Sequence, residues 1–301
     1  MKAVQFSEFG GPEVLELVDL DDPAPGAGQI RIRVRAVGIN PIDWKVRSGM
    51  MGGDLPRRTG QEVAGIVDAL GDGVSDVAVG DQVFGTPAGG GGAAELAVMA
   101  NYHPIVEPLD FVCAAALPVA VETAARCLDL LGVSRDQTLV INGAAGAVGI
   151  AAVQLARARG ARVIGTASPA NHDYLRAFGA EATAYGDGLA ERVRELAPGG
   201  VDRALDAAGH GALPALVELT GDPQRVLTIA DFAAAGELGV PVTGGPDAPR
   251  AWYALDDAIE LMRAGDFSMP VAQTFPLAEI AEAHRLSETG HVRGKLVVTV
   301  G

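Results

Sequence analysis

Short runs of alternating apolar and polar residues, rich in Val and Ile and closed off by Gly and Pro, dominate the first third of the chain. Residues 30–37, 62–69 and 81–84 are examples, separated by Pro23-Ala24-Pro25-Gly26 and Gly71-Asp72-Gly73. A side-chain period of two with turn formers between the runs predicts half-buried strands, largely antiparallel. Between Cys113 and Leu131 the period changes. Ala, Val and Leu recur there at helical spacing, densely enough to predict one helix buried on most of its surface, at the expected hinge between two lobes.

From Gln137 the pattern becomes one of repeated strand–helix units. Strands are predicted at 138–142, 162–166, 182–184, 201–206 and 226–230, with helices starting at Ala147 and Asn171. Strands joined by helices in this way pair in parallel, which makes the fold α/β with a doubly wound sheet. The last segment predicts helices at 252–264 and 278–289 and a final strand at 295–300, too little for a third domain. The expected organisation is a β-rich lobe at 1–118, a nucleotide-binding lobe at 119–248 and a tail at 249–301 that returns to the first lobe. Gly89-Gly90-Gly91-Gly92 reads as a flexible loop or as a mobile flap.

Composition narrows the partners. The chain has 301 residues, and its 49% hydrophobic and 20% charged content describes an ordered globular protein large enough for two lobes. With 23 Lys+Arg against 38 Asp+Glu the net charge is −15, which repels phosphate backbones and anionic lipid, so neither nucleic acid nor membrane is an expected partner. Cys113 and Cys127 are the only cysteines and cannot build a four-cysteine zinc lobe. The first residues lack the apolar run of a signal peptide, and no stretch approaches the ~20 apolar residues of a membrane span. A cytoplasmic protein is expected.

The candidate chemistry starts at Gly143-Ala144-Ala145-Gly146-Ala147-Val148-Gly149, which follows the apolar strand Thr138-Leu139-Val140-Ile141-Asn142 and opens a helix. The middle glycine would let the backbone of Ala145, Gly146, Ala147 and Val148 approach a diphosphate, and the last would let helix and strand pack closely. Strand, turn and helix in that order point to a dinucleotide. An NAD-specific site offers a carboxylate about 20 residues on, at the end of the second strand. Here that strand ends in Thr166-Ala167-Ser168, with no carboxylate. Ser168 can donate to a 2′-phosphate, and Asn171 or His172 can add donors, which favours NADPH. The alternative is that Ser168 and Asn171 only form a turn and a helix cap.

Several separated motifs resemble one family. They include Phe9-Gly10-Gly11-Pro12-Glu13-Val14-Leu15, Gly38-Ile39-Asn40-Pro41-Ile42-Asp43, Gly60-Gln61-Glu62-Val63-Ala64-Gly65, Val79-Gly80-Asp81-Gln82-Val83-Phe84-Gly85, the 143–149 turn, Asp206-Ala207-Ala208-Gly209 and the closing Gly290-His291-Val292-Arg293-Gly294-Lys295-Leu296. In this order they resemble the zinc-independent quinone oxidoreductase branch of the medium-chain dehydrogenase/reductase superfamily. The resemblance implies a GroES-like catalytic lobe made by both ends of the chain, a Rossmann lobe in the middle and an active site in the cleft between them. Zinc-using relatives carry a His-Glu pair where this chain has Gln61-Glu62, so no metal is expected.

The same resemblance assigns residues. Asn40 is expected beside the nicotinamide and the substrate carbonyl, or else merely fixes the turn before Pro41. Asp43 is a helix cap or a catalytic group. Thr123 is expected near the nicotinamide ribose, or is an ordinary helix-face residue. Tyr185 would lie against the adenosine 2′-phosphate or on the surface. Ala208, Ile229 and Ala230 would face the cofactor, and Lys295 either approaches it or is solvated. Met50-Met51 and Ala125 stand where relatives often carry tyrosines, which makes the pocket more apolar. The implied activity is NADPH-dependent reduction of a quinone or an α,β-unsaturated carbonyl compound. An enoyl-thioester reductase and an NADPH-binding protein with little catalysis are the alternatives. A homodimer formed by an edge strand at 239–243 is also implied.

Overall fold

The computed structural model describes residues 1–301 except Pro246. The chain forms two compact units, Met1–Val119 with Met269–Gly301, and Ala120–Ser268. The first unit begins with β1 (Lys2–Phe6), β2 (Glu16–Asp19), β3 (Ile30–Ile39), α1 (Pro41–Arg47), β4 (Arg57–Arg58), β5 (Glu62–Leu70), β6 (Gln82–Pro87), β7 (Leu96–Pro104) and α2 (Phe111–Ala115). The chain then passes through α3 (Pro118–Leu130) into the second unit. There follow β8 (Thr138–Asn142), α4 (Ala147–Ala158), β9 (Arg162–Thr166), α5 (His172–Ala177), β10 (Glu181–Thr183), α6 (Leu189–Leu196) and β11 (Arg203–Asp206). After these come α7 (Leu213–Thr220), β12 (Val226–Thr228), α8 (Phe232–Leu238) and α9 (Ala254–Ala264). Finally β13 (Val271–Pro276), α10 (Ile280–Glu288) and β14 (Lys295–Thr299) rejoin the first unit.

In the first unit the period-two pattern of β3 decides its placement. Ile30, Ile32 and Val34 are buried while Arg33 and Arg35 are exposed, until both faces are covered from Ala36 onward. The main sheet has the order β13-β14-β3-β5-β6-β7, and β3 also pairs with β7, so four antiparallel strands close on themselves. Val4, Ile32, Val63, Phe275, Ile280 and Val298 meet in its core. Each such side chain stabilises the fold by roughly 1.5–3 kcal/mol when fully buried. β14 lies between β13 and β3, with Leu296 opposite Ile39, so the tail completes this sheet.

The second unit carries a parallel sheet of order β10-β9-β8-β11-β12. The order reverses between β8 and β11, the switch point at whose carboxyl end open α/β sheets bind ligands. The α/β class, the doubly wound parallel sheet and the β-rich lobe are therefore as expected from the sequence.

Three features differ from the expectation. The single helix expected over 113–131 is two helices, α2 and α3, because Pro118 has no N–H to continue the first. The tail was expected from 249, but α9 belongs to the second unit and the return begins at Met269. The cause is visible: Ala254, Leu255, Ala258 and Ile259 are buried, and the Gln154 amide brackets Ser268, donating to its carbonyl at 2.9 Å and accepting from its N–H at 2.8 Å. The edge strand expected at 239–243 is reduced to one bridge, Thr228 to Val242, next to Pro241, which has no N–H for a ladder. No described helix is long and apolar enough to cross a membrane.

Candidate functional site

The glycine-rich turn joins β8 to α4. Gly143 adopts φ +78°, and a Cβ there would fall 2.5 Å from the Ala208 Cβ. At Gly149 a Cβ would fall 2.3 Å from the Gly143 carbonyl oxygen, so only glycine lets the helix approach the strand this closely. The N-cap is Gly146, which offers no side chain to the first turn. The N–H groups of Ala147, Val148 and Gly149 have no acceptor among the described residues, and Ala147 and Val148 are half-exposed. Unpaired amides at the positive end of a 12-residue helix form a receptor for an anion.

A chain of buried polar groups holds this turn in place across the carboxyl ends of four neighbouring strands. Asp206 Oδ1 accepts from Asn142 Nδ2 at 2.8 Å and from the Gly209 N–H at 2.7 Å, and its Oδ2 accepts from Thr228 Oγ1 at 2.8 Å. Asn142 Oδ1 accepts from Thr166 Oγ1 at 2.7 Å, and Thr166 Oγ1 accepts from the Gly143 N–H at 3.1 Å. Thr166 is fully buried, so its hydroxyl fixes the turn instead of facing a ligand. Asn142, Asp206 and Thr228 were not singled out from the sequence. The available signal was a polar residue closing each of three apolar strands.

Around the same switch point Ala208 is half-buried, and the Ile229 N–H donates to the Asp206 carbonyl at 3.0 Å. The Ala230 N–H donates to Thr228 Oγ1 at 3.0 Å, so the amides of Ile229 and Ala230 serve the strand ends and only their carbonyls are left for a ligand. At the end of β9, Ser168 is half-exposed and its hydroxyl has no partner among the described residues. Asn171 is partly exposed, and its buried Oδ1 has no hydrogen bond. Tyr185 is 54% exposed beyond β10, and Arg192 fixes its loop by donating to the carbonyls of Ala184 and Asp187.

Thr123, on α3, borders a buried ion pair. Arg126 Nε donates to Glu122 Oε1 at 2.8 Å, Arg126 Nη1 donates to Thr243 Oγ1 at 2.6 Å, and the Ala251 N–H donates to Glu122 Oε1 at 3.3 Å. The Thr123 hydroxyl accepts from Arg126 Nη2 at 3.3 Å. These contacts fasten Thr243 and Ala251 to the helix.

Asn40 lies at the start of α1 in the first unit, in a buried cluster. Its N–H donates to Asp43 Oδ2 at 2.8 Å, and Asp43 Oδ1 accepts from Thr59 Oγ1 and from the Gly60 N–H, each at 3.2 Å. Burial holds the Asp43 carboxyl protonated up to about 6, against the opposing pull of those two backbone donors. The Asn40 side chain is held at both ends. Its Oδ1 accepts from Lys295 Nζ, its Nδ2 donates to Glu62 Oε1 at 2.8 Å, and Lys295 is itself ion-paired with Glu62. Lys295 is 1% exposed, so the solvated reading is wrong, and its ammonium is directed at Asn40 and Glu62. Glu62 Oε2 accepts from the Val119 N–H at 2.7 Å. Both carboxylate oxygens are thus committed, and no group of three or more His, Cys, Asp or Glu side chains among the described residues is placed to hold a metal. The donors present do not fit a zinc ion.

Comparison with known proteins identifies the family. The family profile described as alcohol dehydrogenase GroES-like domain matches residues 26–108, and that described as zinc-binding dehydrogenase matches residues 178–298. Quinone oxidoreductase of Pseudomonas aeruginosa is 35% identical over 94% of this chain and 94% of its own length. The chain belongs to the quinone oxidoreductase family of medium-chain dehydrogenases and reductases. Rat quinone oxidoreductase is 43% identical over 173 residues, 56% of this chain, and the match spans about half (53%) of that relative's length. Among solved structures, the quinone oxidoreductase of Coxiella burnetii superposes with a TM-score of 0.87 at 31% identity, over 100% of this chain and 99% of that one. The Escherichia coli quinone oxidoreductase complexed with NADPH has a TM-score of 0.85 at 25% identity, over 99% of this chain and 100% of that one.

Proposed function

We propose that the chain is an NADPH-dependent oxidoreductase that delivers hydride to a quinone or an α,β-unsaturated carbonyl compound without a metal. The observation that carries this reading is the set of unpaired N–H groups of Ala147, Val148 and Gly149 at the switch point of the parallel sheet. They would hold the diphosphate, with the Ala145–Gly146 backbone giving it close approach. Ser168, Asn171 and Tyr185 would take the adenosine end, where the uncommitted hydroxyl of Ser168 can donate to a 2′-phosphate and no carboxylate repels it. When bound, the nicotinamide supplies the hydride chemistry.

What Asn40 can do follows from its neighbours. An ammonium cannot accept a hydrogen bond and a carboxylate cannot donate one, so Lys295 and Glu62 together fix which end of the amide is oxygen. The second Nδ2 hydrogen is then a donor that the side chain still has to offer. A donor suits a carbonyl oxygen that gains charge during reduction. The NADPH complex of the Escherichia coli relative and the quinone oxidoreductase names of the others support the cofactor and the reaction class.

The test is a fluorescence titration with NADPH and NADH, followed by NADPH oxidation with a quinone, an enone and an enoyl thioester compared side by side. Tight NADPH binding with turnover of the quinone or the enone is the expected outcome. Absence of affinity for either nucleotide removes the reading. Binding without turnover of any acceptor, or turnover of the thioester alone, replaces it.

A further inference from the structure

Arg57 and Arg58 stand next to each other on β4 in a chain with 38 acidic residues, yet neither is ion-paired among the described residues. Arg57 Nη1 donates to the Gly52 carbonyl at 2.7 Å, which leaves its charge uncancelled, and the Arg58 side chain has no hydrogen bond among the described residues. Arg58 is exposed, but glycine backbone passes close to its side chain. The glycine run 89–92 folds over it with three successive left-handed residues, Gly89, Gly90 and Gly91, at φ +74°, +77° and +79°. A Cβ at Gly91 would fall 2.8 Å from the Arg58 Nε, so the side chain passes close to bare backbone. Glycine is needed there for both its conformation and its lack of a side chain.

Two cavities meet at this arginine, both within the first unit. One of about 310 Å³ is lined by residues that include Gln5, Arg57, Arg58, Gln61 and Gly89. The other, of about 270 Å³, is lined by Arg58, Gly90 and Gly91 and by apolar side chains that include Leu96 and Val98. No Asp or Glu lines either cavity, although the chain as a whole is strongly acidic. An Arg58 guanidinium without an ion pair, with Gln5 directly opposite it on the sheet, Gln61 lining the same cavity and no Asp or Glu among the lining residues, is a donor set that suits a planar or tetrahedral oxyanion.

We propose that Arg58, Gln5 and Gln61 form a binding site for a carboxylate or phosphate group of a small molecule, with Arg58 as its principal ligand. The neighbouring cavity, lined in part by Leu96 and Val98, would receive the carbon skeleton attached to that group. The site does not depend on the nicotinamide reading, since all of its residues lie in the first unit, away from the glycine-rich turn in sequence. It lies on the segment that leads into the Asn40 cluster, because Gln61 directly precedes Glu62 and Thr59 and Gly60 hold Asp43.

The test is calorimetric titration of the full chain with inorganic phosphate and, separately, with benzoate, at constant ionic strength set by chloride. Saturable binding of either probe at one site per chain is expected, weakened at least about tenfold in Arg58→Gln. Arg35→Gln, which removes an exposed arginine outside both cavities, should leave it unchanged. Arg58→Lys keeps the charge but loses the planar fork, and an intermediate affinity is expected. Preference for phosphate identifies a phosphate group as the ligand, and preference for benzoate identifies an organic acid. Heats that do not saturate with either probe, equal affinity in Arg58→Gln, or an equal loss in Arg35→Gln would overturn the proposal. An unchanged NADPH titration in Arg58→Gln shows that the variant is folded and separates this result from the fate of the proposed function.

Discussion

Lys295 Nζ lies 2.5 Å from Asn40 Oδ1, a contact that joins residues 255 positions apart in the chain. With the Glu62 contact it fixes the amide so that Nδ2 keeps one hydrogen to donate. Asn40→Ala should lower kcat about 10²-fold while NADPH affinity stays the same, since a lost oxyanion donor typically costs that much. Asn40→Asp keeps the size and the partner for Lys295 but loses the donor, and should be as slow. Steady-state kinetics with the best acceptor, together with a fluorescence titration, checks both. Unchanged turnover removes Asn40 from the reaction.

Removing the cation itself is a different experiment. Lys295→Met leaves Glu62 buried as a charge without its partner, and breaking a buried pair from one side costs about 3–5 kcal/mol. Lys295→Met with Glu62→Gln should recover much of that loss, because the double variant leaves neither member of the pair charged. Urea unfolding of the single and double variants reads the difference directly.

Asp43 gives the cluster a pH signature. Its carboxyl is pushed up to about 6 when folded, against ~3.9 for an unfolded aspartate, so the folded state favours the protonated form. The stability it contributes is complete below about pH 4 and is lost as pH rises toward 6, a loss on the order of 2–3 kcal/mol. The stability of the wild type relative to Asp43→Asn should therefore fall over that window and level off above it. A flat difference across the window would contradict this.

His284 should act in the opposite sense. Its Nδ1 faces Arg47 Nη1 at 3.3 Å, and Arg47 also pairs with Glu288. Arginine can only donate, so the ring must accept, and burial together with that cation lowers the imidazole to about 3. A His depressed in this way stabilises the fold above its unfolded value of ~6.5, and that stability is lost as pH falls toward 3. His284→Gln, whose side-chain oxygen can still accept from Arg47, should flatten the acid side of the stability profile. Urea midpoints at neutral and mildly acidic pH are the measurement.

Within the glycine-rich turn, two alanine substitutions should separate cleanly. A Cβ at Gly149 meets the Gly143 carbonyl at 2.3 Å, whereas at Gly146 the nearest atom is 3.6 Å away, an ordinary contact, with φ −75°. Gly149→Ala should weaken NADPH binding by tenfold or more through displacement of the helix start. Gly146→Ala should fold normally, and any loss of affinity there reports on how closely the diphosphate approaches.

The turn was legible in the sequence because strand, glycines and helix are neighbours in the chain. The groups that hold it were not. Asn142, Asp206 and Thr228 are separate polar residues at the ends of separate apolar strands, and their meaning depends on β8, β11 and β12 lying side by side. Lys295 was read as solvated or as close to the cofactor because a lysine after a glycine carries no local sign that a glutamate 233 positions away will neutralise it. Pro118 was readable as a helix break, yet the apolar density around it outweighed the missing N–H. The boundary at Ser268 depended on a glutamine amide 114 residues upstream, a contact that periodicity cannot show.

The place of β14 between β13 and β3 also bears on how the polypeptide is made. The Ala120–Ser268 unit is continuous and can fold as soon as it leaves the ribosome. The other unit must wait for residues 269–301, so during synthesis the edge of β3 that β14 will occupy stays open and Glu62 has no counter-ion. The half that is translated first is therefore the half that matures last, and that interval is when a nascent chain most needs protection from aggregation.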